Sequence, residues 1–420
     1  MSTSLPDLLI IAPNISIHTT KPVVIGIYGK YLFIEGFEVI PKIVPGGLAK
    51  FQTLKEEEKK VYRSNAIDHV AKDGEISGRT TILTGHYMFW ADGAEEKKPV
   101  WTLRDQATFT HIIYLSIPVD LLLARRKADL EWTRSKVSVE NLHKWQETEK
   151  SDLRRICGEN GILFTVLPFT VDVSKRAAEL AECFDSHTET GNFLLAEQKL
   201  DNILKGVEGK LEKMLVIDAD RILSATDTGH LFWEHVRSLP NFSNRQTSPK
   251  TIFSTSGYSH TAFRQVALLY GEVSASHDFD SICHAVANAT DLYSGIISLL
   301  KSVTRASHVG VFIVTCGLSQ VWEHIIAREG ISDTVKVLGS ELSQDACIVT
   351  LAVKTAVVSR LQRCHRLEVW AFGDSVLDLG MLVKADHAIV VVGDVESRSK
   401  TMDVPWRSQL TRVSFMLGKP

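Results

Sequence analysis

Two aspartates follow an apolar segment in the second half of the chain, at a spacing that suits chemistry on a charged substrate. The segment MLVIDAD predicts a strand over residues 214–220 that ends with Asp218 and Asp220. Side chains two apart on a strand share a face, and parallel sheets bind ligands beyond the carboxyl ends of their strands. Two acids after a strand also suit a turn followed by a helix cap, so the pair alone does not establish a site.

Three further segments place polar side chains at comparable positions. FIVTCG predicts a strand that ends on Thr315, with Gly317 just beyond it. Lys354 opens the predicted helix VKTAVVSRLQR, and WAFGDSVLDLGML predicts a strand that ends at Asp374, with Asp378 one helical turn later. Taken singly, such a lysine is usually solvated and such a threonine merely ends a strand. Their order, each at a strand end or a helix start, indicates one site.

These side chains have the composition needed to act on a phosphate ester. A carboxylate can approach a phosphate dianion only where positive charge offsets the repulsion. Mg²⁺ binds carboxylate and phosphate oxygens, and a lysine adds further positive charge. A phospho-aspartate intermediate divides one difficult displacement into two easier ones, and a second carboxylate can serve as acid and then as base.

The pattern resembles the haloacid dehalogenase superfamily of phosphatases, in particular its phosphoserine-phosphatase-like branch, over about residues 210–400. The resemblance implies a Mg²⁺-dependent phosphomonoester hydrolase in which Asp218 is the nucleophile and Asp220 is the general acid and then the base. It also implies that Thr315 donates a hydrogen bond to the phosphoryl group and that Lys354 neutralises negative charge.

The same resemblance implies a Mg²⁺ ion held by Asp218, Asp374 and the main-chain carbonyl of Asp220. Asp378 would support that ion directly or through water. One position departs from the family pattern, because Ile222 stands where Thr or Val is usual. All three residue types are β-branched, so we interpret the change as conservative.

A mainly helical insertion is predicted between Ile222 and Val309, and the resemblance implies that about 223–308 form a cap over the site. Such caps exclude water and contact the leaving group. Arg264 is the candidate contact for a substrate anion, with Phe232 and Gly317 as further substrate contacts. A surface salt bridge for Arg264 and a helix core for Phe232 are alternatives.

Strands and helices also alternate in the first half, from Val23 to about Pro168, which predicts a second doubly wound α/β domain. Residues 1–20 are expected to be loose. The fold class is therefore α/β with two parallel-sheet domains, the second bearing a helical cap. The predicted limits are 1–180 for the first domain, 181–213 for a helical linker and 214–420 for the second domain.

Gly29 and Lys30 follow the apolar segment Val23–Ile27, as in a phosphate-binding loop. A working loop reads G-x-x-x-x-G-K-[S/T], yet Val24 replaces the first glycine and Tyr31 replaces the Ser or Thr. The remainder resembles P-loop kinases of small metabolites, including a lid-like segment with three arginines, Arg125, Arg126 and Arg134. We expect a degenerate kinase-like domain, as in fungal multidomain proteins, that transfers no phosphate from ATP, and we assign it no cofactor-binding residues.

The bulk composition excludes several classes of function. A net charge of −3 provides no basic field for nucleic acid, and no apolar run reaches membrane-spanning length. Six scattered cysteines without a CxxC pair favour thiols in a reducing compartment, so a cytoplasmic protein is expected. The expected partner is a small phosphorylated metabolite, whose identity the sequence leaves open together with the oligomeric state.

Two other functions fit the same residues. The chain could be a non-catalytic regulator or scaffold built from two enzyme-derived domains, because one of its two sites is degenerate. It could also be a phosphotransferase or mutase that uses the same nucleophile and passes the phosphoryl group to another alcohol.

Overall fold

The computed structural model describes residues 7–11, 30–90, 97–128, 137–186, 188–205, 211–239, 248–341, 347–392 and 413–417. The chain divides into two units, each with its own parallel sheet. Unit 1 comprises Met1–His187, Arg245–Gly257 and Arg264–Ser276, and unit 2 comprises Thr188–Asn244, Tyr258–Phe263 and His277–Pro420. The predicted α/β class with two parallel-sheet domains is confirmed.

The sheet of unit 1 has five parallel strands in the order β2-β3-β1-β6-β7. The strands of the unit, including a short antiparallel pair β4 and β5, are β1 Asp7–Ile11, β2 Tyr31–Glu35, β3 Thr80–Gly85, β4 Met88–Phe89, β5 Lys98–Pro99, β6 His111–Ser116 and β7 Leu163–Pro168. Leu9 lies opposite Leu83 on one side and Ile112 on the other, so the strand centres form one apolar layer.

Helices accompany this sheet, and most of them contribute buried apolar side chains to the core of unit 1. They are α1 Gly36–Ile43, α2 Gly47–Thr53, α3 Glu56–Ser77, α4 Leu103–Thr108, α5 Val119–Ala128, α6 Val139–Asn160 and α7 Val173–Ser186. Their ends follow ordinary capping rules. Gly78 and Gly161, with positive φ, end α3 and α6, and Thr102 accepts main-chain hydrogen bonds at the start of α4.

The start of unit 1 differs from the sequence prediction. Residues 1–20 were expected to be loose, but Asp7–Ile11 is the central strand. The strand predicted at Val23–Ile27 lies outside the described residues. Lys30 precedes the edge strand β2 instead of following the central strand, so it does not stand where a phosphate-binding loop would place its lysine. A phosphate-binding loop would follow the central strand, which ends at Ile11, and would therefore lie in residues 12–29, outside the described residues. The predicted loss of the loop thus stays a prediction.

The edge strand β7 of unit 1 is covered by residues that come later in the sequence. The Gln265 side chain donates to the Phe164 carbonyl and accepts from the Phe164 amide, both at 2.8 Å. Glu272 accepts from the Val166 amide at 2.9 Å and pairs with Arg154. These side chains satisfy main-chain groups that an edge strand would otherwise leave open.

The sheet of unit 2 has six parallel strands in the order β10-β9-β8-β11-β12-β13. They are β8 Lys213–Ile217, β9 Val309–Leu318, β10 Val335–Ser340, β11 Glu368–Gly373, β12 His387–Val392 and β13 Val413–Leu417. The core strand β8 lies between β9 and β11. The carboxyl ends of these three strands therefore meet at one edge of the sheet.

The remaining helices are α8 Glu189–Lys205, α9 Thr228–Ser238, α10 Pro249–Ser256, α11 His260–Ser276, α12 Phe279–Asn288, α13 Ser294–Val303, α14 Ser319–Arg328, α15 Leu351–Arg363 and α16 Leu379–Lys384. The predicted helical content between Ile222 and Val309 thus corresponds to α9–α13. Helix α10 and most of α11 belong to unit 1, and the rest of this insertion belongs to unit 2.

Helix α8 is an integral part of unit 2. Ala196 and Leu200 are buried in the same apolar cluster as Val216 of β8. Asn192 donates to the Ile348 carbonyl at 2.9 Å and accepts from the Ile348 amide at 2.7 Å. The predicted domain and linker limits stay predictions, although the chain passes from unit 1 to unit 2 between His187 and Thr188, within the predicted linker.

The sequence analysis also addressed the state of the cysteines and the presence of membrane-spanning segments. All six cysteines lie in described residues and none forms a disulfide. None of the helices that the structure describes combines the length and hydropathy needed to cross a bilayer.

Candidate active site

Asp218 lies directly beyond the end of β8. Its amide donates to the Phe372 carbonyl at 3.0 Å, which extends the pairing of β8 with β11 by one residue. The side chain is buried and is oriented toward the start of α15, where Lys354 contacts it. Regular parallel pairing therefore fixes the backbone of the predicted nucleophile.

Lys354 is the centre of a buried ionic cluster. Its Nζ lies 2.6 Å from Asp218 Oδ1 and 2.7 Å from Asp378 Oδ1, and its side chain is only 1% exposed. Burial opposes the charge of Lys354, but Asp218 and Asp378 together raise its pKa well above the usual value. Since a buried charge needs paired partners, these two carboxylates keep the lysine ionised.

The turn after β11 holds Asp374 and Asp378 in place. Asp378 Oδ2 accepts hydrogen bonds from the Asp374 amide at 3.2 Å, the Ser375 amide at 3.0 Å and the Ser375 hydroxyl at 2.8 Å. A Cβ added to Gly373 would lie 2.4 Å from Asp378 Cβ, so only glycine allows this close approach. Both oxygens of Asp378 are thus engaged by protein donors, which favours an anchoring role over direct metal contact.

Asp218, Asp374 and Asp378 form a group that could hold a metal ion. One carboxylate oxygen of each lies within 4.8 Å of the others, and all three residues are buried. Burial, followed by the nearby Asp218 and Asp378, raises the pKa of Asp374 to about 8, and burial together with Asp378 raises the pKa of Asp218. Three carboxylates around one lysine leave an excess of negative charge, and oxygen ligands suit Mg²⁺, so these residues fit that ion.

Asp220, Thr315 and Gly317 lie together beside this cluster. The Thr228 amide at the start of α9 donates to Asp220 Oδ1 at 2.7 Å, and the Gly317 amide donates to Thr315 Oγ1 at 3.0 Å. A Cβ on Gly317 would be 3.4 Å from Asp220 Oδ2 and 3.3 Å from Thr315 Oγ1. Burial, and then the negative charge of Asp227, raises the pKa of Asp220.

Two residues near Asp220, Arg221 and Asp227, were not singled out from the sequence. Arg221 has a φ of 65°, a left-handed conformation that is unusual for a residue with a side chain, and its guanidinium lies 3.2 Å from Asp227 Oδ2. Asp227 Oδ1 also accepts from the His230 amide at 3.0 Å and caps α9. A capping signal was present in the order Asp-Thr-Gly before an apolar helix, but nothing in the sequence marks the left-handed turn at Arg221.

Phe232 lies in unit 2 and Arg264 lies in unit 1. Phe232 is completely buried and packs 5.4 Å from Phe279 and 5.6 Å from Trp233 between ring centroids, which agrees with the alternative of a helix core. Arg264 is buried in a segment of unit 1, whereas Asp218 belongs to unit 2. Their assignment as substrate contacts stays a prediction.

In unit 1, two of the basic residues that the sequence analysis singled out contact other protein groups. Lys30 pairs with Asp185 at 3.0 Å, and the Arg125 guanidinium lies 4.9 Å from the centroid of the Phe169 ring. Arg134 lies outside the described residues. The ion pair with Asp185 gives Lys30 a structural explanation that needs no phosphate.

The family model of haloacid dehalogenase-like hydrolases matches residues 215–383. This range carries a haloacid dehalogenase-like hydrolase domain. It contains all the predicted catalytic and metal-binding residues, which are Asp218, Asp220, Thr315, Lys354, Asp374 and Asp378. The model of an AAA domain matches residues 35–146, so both predicted resemblances are confirmed, while the fungal arrangement stays a prediction.

Solved structures similar to this chain have low identity to it. A hydrolase of this family from Salmonella enterica serovar Typhi is 16% identical, with a TM-score of 0.35, over 43% of this chain and 63% of that chain. A phosphoserine phosphatase solved as a phospho-aspartyl intermediate analogue is 15% identical, with a TM-score of 0.30, over 43% of this chain and 87% of that chain.

A third structure, the hydrolase YfnB of Bacillus subtilis bound to magnesium, is 14% identical, with a TM-score of 0.30, over 43% of this chain and 89% of that chain. The match to the Salmonella protein covers 63% of that protein, so the chain spans less than two thirds of its length. No curated protein sequence matches the chain. The family match to residues 215–383 alone identifies the domain.

Proposed function

We propose that unit 2 is a Mg²⁺-dependent phosphomonoesterase that hydrolyses a small phosphorylated metabolite through a phospho-aspartate at Asp218. One observation carries the proposal. The buried Lys354 ammonium contacts both Asp218 and Asp378, beside Asp374, within the residues that the family match covers. A buried lysine that holds a carboxylate at a strand end supports attack on an anionic ester better than it supports folding alone.

In the first step, Asp218 forms a bond to phosphorus as the bond to the leaving oxygen breaks. Lys354 holds Oδ1 of Asp218, so Oδ2 is the oxygen available for attack. Asp220 is two residues away and gives its proton to the departing alkoxide. Thr315 and the lysine stabilise charge on the phosphoryl oxygens.

In the second step, Asp220 takes a proton from water, which attacks phosphorus. The bond between phosphorus and Asp218 breaks, inorganic phosphate leaves and both aspartates return to their first state. The hydrogen bond from the Thr228 amide holds Asp220 Oδ1 and leaves Oδ2 directed toward Gly317, where a leaving group can lie.

The carboxylates of Asp218 and Asp374 would hold Mg²⁺ together with the main-chain carbonyl of Asp220. When bound, the ion neutralises the negative charge of the carboxylates and the phosphate. Asp378 positions Lys354 and the Asp374 turn, and could reach the ion through water. We also infer a cytoplasmic location, because six cysteines without a disulfide suit a reducing compartment.

A phosphate-release screen tests this function. The full chain and Asp218→Asn are incubated with sugar phosphates, nucleotides, phosphoamino acids and prenyl phosphates, with and without Mg²⁺. We expect release from one class of ester, dependent on Mg²⁺ and abolished in the variant. Release by Asp218→Asn at the rate of the natural chain would overturn the proposal.

The same screen separates the two alternative functions. A scaffold protein releases phosphate from none of these esters. A phosphotransferase or mutase loses its ester substrate mainly by transfer to an added alcohol, so phosphate release falls when an acceptor is supplied. Hydrolysis that is unaffected by added alcohols supports the phosphatase.

A further inference from the structure

Asp280, His284 and His324 form a second group of potential metal ligands in unit 2, with no residue in common with the carboxylate cluster. Asp280 and His284 lie four residues apart on α12, so one face of that helix presents both side chains. His324 comes from α14. One ligand atom of each lies within 4.8 Å of the others.

The Asp280 carboxylate lies between two histidine nitrogens. Its Oδ1 is 3.2 Å from His324 Nε2, and its Oδ2 is 3.6 Å from His284 Nε2. The two imidazole rings stack with their centroids 3.6 Å apart and an interplanar angle of 23°. Both Nε2 atoms therefore face one carboxylate, so the two imidazoles and the carboxylate can converge on one ion.

The helices that carry these ligands are fixed to each other. Arg328 of α14 donates to the Ala287 carbonyl at 2.5 Å and to the Thr290 carbonyl at 2.8 Å, at the end of α12. Gln320, one turn before His324, donates to Asp280 Oδ1 at 2.5 Å and orients the carboxylate. The backbone positions of the three ligands are thus set in advance.

We propose that Asp280, His284 and His324 bind one divalent transition-metal ion of the Zn²⁺ type. Two imidazole nitrogens and one carboxylate oxygen suit Zn²⁺, Ni²⁺ or Cu²⁺, whereas Mg²⁺ prefers oxygen ligands alone. The side chains of His284 and His324 are 54% and 22% exposed, so the stacked rings can turn toward a common ion. Three protein ligands leave a fourth position open to water. The ion would link α12 to α14.

Titration of the metal-free full chain with Zn²⁺ against a chromophoric chelator tests the site. Excess Mg²⁺ is present to compete with Zn²⁺ for the carboxylate cluster. We expect one tightly bound Zn²⁺ per chain, and Co²⁺ in its place should give a visible absorption band. His284→Ala and His324→Ala should each weaken binding at least about 10-fold, and Gln320→Ala should weaken it about 10-fold through the lost orientation of Asp280.

His365→Ala is the matched control, because His365 pairs with Asp201 at 2.9 Å in the same unit and is not one of the proposed ligands. It should bind Zn²⁺ as the natural chain does. The proposal is overturned if the His284→Ala/His324→Ala double variant, folded by circular dichroism, binds as much Zn²⁺ as the natural chain. It is equally overturned if the natural chain binds none. Phosphate release does not enter either readout, so the two proposals fail independently.

Discussion

Lys354 Nζ lies 2.6 Å from Asp218 Oδ1, although the two residues are 136 positions apart in the sequence. One residue follows the central strand of unit 2 and the other lies in the first turn of α15, a helix whose start is fixed by the Thr350 cap. The fold of unit 2 thus places the end of β8 and the start of α15 at the same edge of the sheet. The contact links the fold of unit 2 to its proposed chemistry.

Replacing Lys354 with methionine should destabilise unit 2 and stop phosphate release. The variant leaves Asp218 and Asp378 buried without a cation, which costs about 3–5 kcal/mol in the free energy of unfolding. Phosphate release should fall by at least about 100-fold. Urea denaturation and the release assay measure the two effects. Lys384→Met, at an exposed position, is the control and should change the free energy of unfolding by less than about 1 kcal/mol.

Gly373→Ala should damage the site through its backbone. The added methyl group would lie 2.4 Å from Asp378 Cβ, so the turn that holds Asp374 must move. We expect a destabilisation of about 1–3 kcal/mol and a large loss of phosphate release. Gly295→Ala is a matched control, since a Cβ at Gly295 meets nothing within 4 Å. Equal unfolding midpoints for the two variants would show that the close approach to Asp378 has no energetic consequence.

Glu149 should make the stability of the chain fall as the pH rises. Burial raises its pKa to about 7, while Tyr114 donates to it at 2.9 Å. An unfolded glutamate loses its proton near pH 4.3, so between about pH 4.3 and 7 the native state binds more protons than the unfolded state. The carboxylate therefore costs on the order of 3 kcal/mol at pH 8 and nothing below about pH 4.

Glu149→Gln removes this dependence. The variant should gain stability relative to the natural chain as the pH is raised from 5 to 8, as measured by urea denaturation at each pH. Because both proteins share every other titrating group, the difference between them isolates Glu149. A difference that does not change with pH would contradict the raised pKa.

Asn192→Ala should destabilise unit 2 by about 2 kcal/mol, because the buried amide and carbonyl of Ile348 both lose their partner. Asn202→Ala, at an exposed position of the same helix, should have little effect. The free energy of unfolding measured in urea compares them. If the two variants are equally stable, α8 is not the integral part of unit 2 that its contacts indicate.

The sequence predicted the strands of both sheets well where apolar runs end on or just before Gly, Pro or Asp. Thr80–Gly85, His111–Ser116 and Glu368–Gly373 are examples, because a buried parallel strand needs a continuous apolar run and a sharp end. Positions at strand ends and helix starts also singled out Asp218, Lys354, Asp374 and Asp378, which the structure brings together, and the chemical roles of the site residues stay predictions. Local sequence is sufficient for such features.

What the sequence could not supply depends on contacts between distant segments. Asp7–Ile11 is short and follows a polar start, and only its pairing with β3 and β6 makes it the central strand. The hydrogen bonds of Gln265 with Phe164, 101 residues away, could not be read from helical periodicity. The left-handed turn at Arg221 likewise depends on its surroundings and not on its residue type.

The most direct test of the phospho-aspartate is to trap it. Asp220→Asn should slow the second step more than the first, so that brief exposure to a ³²P-labelled ester and Mg²⁺, followed by acid, retains label on the chain. Borohydride reduction and mass spectrometry then locate the acyl phosphate. We predict that the label is on Asp218 and is absent from the Asp218→Asn/Asp220→Asn double variant. Label on another residue, or full turnover with no label at Asp218, would contradict the proposed reaction.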